Sequence, residues 1–146
     1  MQPDFNYMRY LYTSISCLAI VICAFWLGGC TYTQSYNPEL NDRQQSVHDS
    51  INMKYQFEHI ELQGKKTSGS GGDHNTLIIN CVNGKNIPTG NNDITDAAKK
   101  IAKLIKTAMR DPSQFDKYSV VFDTRTVDGA LTTNRYSEFN FNPGEL

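Results

Sequence analysis

Neither sign of charge dominates the chain: 14 Lys and Arg stand against 15 Asp and Glu, for a formal net charge of −1. With the charges this balanced, nothing global points to nucleic acid or to acidic substrates. Histidine is scarce too. His48, His59 and His74 never pair at i,i+4 and no C-x-x-C occurs, so there is no zinc signature and neither a metal nor a cofactor is expected. Gly64-Lys65-Lys66-Thr67 ends like a phosphate-binding loop, yet His59 stands where that loop needs its first glycine and Lys66 where it needs Ser or Thr. No G-x-S-x-G nucleophile elbow exists. Ser68 and Ser70 with Asp73 and His74 sit in a Gly/Ser/Lys-rich stretch read as a loop, where a nucleophile could not be held to catalytic tolerance. The carboxylate pairs Glu58/Glu61 and Asp123/Asp128 show no apolar pocket to separate their pKa values. These absences point away from an enzyme.

Long hydrophobic runs are also missing. The one apolar stretch, Leu11 to Trp26, is about 16 residues, shorter than the ~20 of a bilayer-spanning helix and suited to the h-region of an export signal, with Arg9 ahead of it. It ends at Leu27-Gly28-Gly29-Cys30. This resembles the lipobox of bacterial lipoproteins, in which an aliphatic residue and two small ones precede the cysteine that takes a diacylglyceryl group before a signal peptidase cuts ahead of it. The resemblance covers only the segment ending at Cys30. It implies that 1–29 is a signal peptide, that Cys30 is the lipidated first residue, and that acyl chains bind the protein to a membrane. Several chains at ~0.8 kcal/mol per buried CH₂ hold essentially permanently. Thr31, not Asp, follows the cysteine, which under the proteobacterial sorting rule favours the outer membrane, facing the periplasm.

With Cys17 and Cys23 removed and Cys30 acylated, only Cys81 remains, so no disulfide scaffold is expected and Cys81 reads as a small buried hydrophobe. Residues 30–46 are polar, contain Pro38 and lack an apolar period. They read as the lipidated Cys30 and a flexible tether with a reach of roughly 20–25 Å, followed by a single domain at 47–146.

Within that domain Ile51, Met53, Tyr55 and Phe57 alternate with polar residues, a strand pattern that slips phase near His59. After the Gln63–Asp73 loop a second strand, His74–Asn83, puts Leu77, Ile79 and Cys81 on one side. Asp93 can cap the clearest helix, which from Ile94 carries Ala97, Ala98, Ile101, Ala102, Leu104, Ile105, Ala108 and Met109 in one stripe. Strands Tyr118–Thr126 and Leu131–Asn142 join through Asp128-Gly129, a strong hairpin signal. The expected fold is α+β, order ββαββ: a four-stranded antiparallel sheet with one amphipathic helix packed on one face.

The helix also carries Lys99, Lys100, Lys103, Lys106 and Arg110, the one local concentration of charge. It is either the wet side of a packed helix or a docking surface for an acidic partner or anionic lipid. The function these features favour is a membrane-anchored envelope module that binds or assembles with a protein partner and not with nucleic acid. Two alternatives are an immunity-type lipoprotein that neutralises a toxin in the periplasm, and a small envelope hydrolase.

Overall fold

The computed structural model describes residues 31–129 and 131–146; the signal segment 1–29, with Cys17 and Cys23, and Cys30 lie outside the described residues. The chain runs β1 (Tyr32–Tyr36), α1 (Gln44–Tyr55), β2 (His59–Gly69), β3 (Gly72–Val82), α2 (Asn91–Ala108), β4 (Lys117–Asp128) and β5 (Leu131–Phe141), with short 3₁₀ turns at Pro112–Gln114 and Pro143–Glu145. The five strands form one sheet in sequence order. Their burial pattern leaves one face under the two helices and the other uncovered.

The domain is α+β, as expected, but the sheet is mixed and there are two helices. Neighbouring strands run antiparallel except β3 and β4, which are parallel from Thr76↔Lys117 to Val82↔Asp123. The reason is α2. An 18-residue helix spans about 27 Å and carries the chain from the far end of β3 back to its start, so the next strand beside β3 must repeat its direction.

Two segments differ from their sequence reading. The alternation Ile51, Met53, Tyr55 belongs to α1, where Val47, Ile51 and Tyr55 recur every fourth residue and are buried while Met53 is 83% exposed. A period of two and a period of four share Ile51 and Tyr55, and packing against α2 selects the helix. The phase slip at His59 is the boundary between α1 and β2, set by Gln56 in the left-handed region (φ 52°), whose N–H donates to Asn52 O.

The expected tether is the second. Its residues form β1, pair with β2 from Tyr32↔Ser68 to Tyr36↔Gly64, and reach the end of α2 through a bridge between Leu40 and Met109. Among the described residues, strand structure therefore starts at Tyr32, two positions after Cys30 in the sequence. Gln63–Asp73, expected as a loop, is likewise strand up to the Gly69↔Gly72 pair, with Ser70-Gly71 at the tip and Gly72 at φ 98°.

The core lies between the helices and the covered sheet face. Leu77, Ile79 and Cys81 of β3 pair with Tyr118, Val120 and Phe122 of β4, and all six are buried under Ala97, Ala98, Ile101, Ala102 and Ile105. The alanines let α2 approach the sheet closely. Gly90, not Asp93, takes the N-cap position and supplies no side-chain bond; Asp93 lies in the first helical turn, where its charge complements the helix dipole. Cys81 is fully buried, and burial pushes its thiol up to about 12.

Candidate functional site

On the uncovered face, side chains of β2, β3, β4 and β5 alternate with the core residues. The chain places Glu61, Asn80, Asp123 and Tyr136 there in neighbouring rows, since Glu61 pairs with Asn80 and Asp123 with Tyr136. With Ile78 and Val121 they line a trough of about 710 Å³. Tyr136 is 74% exposed.

Polar bonds bracket this trough. Asp123 Oδ2 accepts from Arg125 Nε at 2.9 Å, which holds the guanidinium pKa above its ordinary value. Ser119 Oγ donates to Glu138 Oε1 at 2.8 Å. Asn83, at φ 51°, closes the end of β3: its Nδ2 donates to Glu58 Oε2 at 2.6 Å, and its Oδ1 accepts from Arg125 N at 2.7 Å. Two oxygens in the trough, Asn80 Oδ1 and Asp123 Oδ1, are buried yet accept no hydrogen bond among the described residues. A buried acceptor left unmade costs about 1–3 kcal/mol.

His59 Nε2 lies 3.1 Å from Glu61 Oε1, and Asn80 Nδ2 donates to Glu61 Oε2 at 3.4 Å. This set holds a histidine and a carboxylate within hydrogen-bond reach, but no hydroxyl or thiol. His48 and His74 are elsewhere, on α1 and β3. No group of three or more His, Cys, Asp and Glu able to hold a metal occurs among the described residues. Ser68 and Ser70 lie at the β2–β3 tip with Asp73, whose carboxyl is held below its ordinary value by hydrogen bonds from Ser68 and Lys66 and by the Lys66 charge.

The five basic positions divide. Lys99, Lys100 and Lys103 are exposed and form no ion pair among the described residues. Lys106 donates from Nζ to Pro143 O at 2.7 Å, and Arg110 Nη1 meets Glu39 Oε2 at 2.8 Å. The last two tie the end of α2 to the turn at Pro143–Glu145 and to the β1–α1 connection. Lys54 of α1, which the sequence reading passed over, joins Lys100 and Lys103 along a cleft of about 400 Å³ floored by Ile51, Tyr55 and Leu104. The trough was missed as well. Its residues alternate with buried ones along β3 and β4, a pattern that marks an open face but not which side chains meet on it.

The molecule thus belongs to the two-layer α+β class, with lysines concentrated on the helical layer and a polar open sheet face. Compared with known proteins, the chain matches no family model, no curated protein and no solved structure.

Proposed function

We propose that this protein is a lipoprotein of the bacterial envelope, held by acyl chains on Cys30 at the outer membrane and facing the periplasm. Its domain binds a protein partner through the uncovered sheet face, without catalysis. The lipobox supports the anchor. The observation that carries the binding reading is the open trough in which the exposed Tyr136 stands beside Ile78 and Val121, with the polar side chains of Glu61, Asn80 and Asp123 around them. That combination of an aromatic anchor, an apolar floor and polar neighbours fits a protein partner. An immunity-type role is the same reading with a toxin as the partner.

Photo-crosslinking amino acids placed at Tyr136 and at Lys99 in intact cells test the surface. A discrete adduct from Tyr136 is expected; an adduct from Lys99 alone moves the partner to the basic helix face with Lys100 and Lys103. No adduct from either overturns the binding reading. Loss of labelled fatty acid in Cys30→Ser tests the anchor. The His59–Glu61 pair favours a second reading, a small hydrolase, and hydrolysis of envelope polymers that His59→Ala abolishes would establish it.

A further inference from the structure

The position of β1 relative to Cys30 fixes which end of the domain meets the membrane. Tyr32 lies two residues after Cys30, and consecutive Cα atoms are about 3.8 Å apart, so the two Cα atoms are separated by at most about 7.6 Å. Tyr32 pairs with Ser68. A Cβ built on Gly69 would lie 3.3 Å from Thr31 Oγ1. Thr31, the residue bonded to Cys30 in the sequence, therefore lies beside the tip of the β2–β3 hairpin.

β1 is also clamped. The Tyr36 ring lies over Gly64, so close that a Cβ there would meet it at 2.3 Å, and Tyr36 O–H donates to Asn75 Oδ1 at 2.8 Å. Asn75 in turn bonds Gln114 O and the Asp116 carboxylate.

We infer that the domain stands on the bilayer without a spacer, with the β2–β3 tip against the lipid headgroups and the β4–β5 hairpin directed away. This rests on the reading of Cys30 as the acylated residue. The occupant of the tip is the anchoring bilayer itself, because of the length of chain between Cys30 and β1 and the chemistry of the tip. Gly69-Ser70-Gly71-Gly72 carries no ionisable side chain, and Lys66 behind it is paired with Asp73 at 3.2 Å. The tip can therefore approach headgroups without stripping water from an unpaired charge. Tyr32, 65% exposed and paired with Ser68, flanks it with an interfacial aromatic. Because β4 runs parallel to β3, the other hairpin points the opposite way. Ten residue steps along β3 (Gly72–Val82) and five more along β4 (Asp123–Asp128) put the two tips up to about 50 Å apart. The exposed Val127 and Leu131 of the far tip are then out of reach of lipid and available to a partner across the periplasm.

Trp26, the single tryptophan, lies in the leader, so a tryptophan introduced into the mature chain reports one site. The mature protein, purified from membranes with its lipid, is placed in phosphatidylethanolamine/phosphatidylglycerol vesicles carrying a nitroxide quencher at the headgroup. Ser70→Trp should be strongly quenched and Leu131→Trp should match its value in quencher-free vesicles. Equal quenching of the two, or quenching of Leu131→Trp alone, overturns the orientation, as does an unquenched Ser70→Trp in protein that floats with the vesicles. Failure to float, with no fatty acid on Cys30, overturns the anchor reading instead.

Discussion

Both hairpins pair strands of eleven or twelve residues across a turn with glycine at positive φ, Gly72 (98°) in one and Gly129 (61°) in the other. Only β2–β3 has a third strand along its outer half, β1, held by Tyr36 over Gly64. The β4–β5 hairpin leaves the sheet after the Val82↔Asp123 pair and continues as a bare two-stranded ribbon, with Thr124 to Val127 and Leu131 to Arg135 exposed. A two-stranded ribbon in water is marginal by itself. Similar local chemistry thus yields a buttressed end and a free end, and the difference lies in what the rest of the fold places alongside.

The comparison breaks most sharply at Gly64. Gly64→Val must push the Tyr36 ring off β2 and loosen β1; we expect a loss of about 3 kcal/mol in urea unfolding, whereas Thr126→Val in the ribbon should change stability by less than about 0.5 kcal/mol. Tyr36→Phe, which removes only the bond to Asn75, should cost about 1 kcal/mol. Amide exchange sharpens the same contrast. Ladder amides of Thr124–Val127 should be protected at least about 100-fold less than those of Leu77–Cys81, because the ribbon can open without disturbing the core. Equal protection would mean that something covers it.

The last effect concerns pH. Cys81 ionises near its ordinary 9.0 in the unfolded chain but near 12 when buried, so the folded state holds the proton longer. Its contribution is fully present below pH 9 and declines as pH rises through 9 to 12, by at most about 1.4 kcal/mol per pH unit. Tyr118, raised from 10.0 to about 12 by burial and by Asp111, adds its own decline only above pH 10. Urea midpoints between pH 9 and 10 should fall for the natural chain and stay flatter for Cys81→Ala.

Elements with a strong private signal were legible in the sequence. The α2 stripe, the apolar side of β3, the Asp128-Gly129 turn and the burial of Cys81 each follow from periodicity or turn chemistry within a short window. The trough was not, because Glu61, Asn80, Asp123 and Tyr136 come from four strands and meet only through register. The basic stripe was half legible: spacing places Lys99 and Lys103 outward, but that Lys106 and Arg110 are tied to Pro143 and Glu39 depends on where the chain ends fold back.

The same division runs from Cys30 onward. The sequence by itself determined the lipobox reading, the long helix and the second hairpin, since each rests on residues adjacent in the chain. Tertiary structure decided that Ile51 and Tyr55 belong to a helix, that β4 runs parallel to β3, and that residues 32–36 are a strand instead of a tether. A five-residue polar segment has no apolar stripe to bury and no turn to announce it. It becomes a strand because β2 offers it a free edge, Gly64 a seat for Tyr36 and Asn75 an acceptor for the tyrosine hydroxyl.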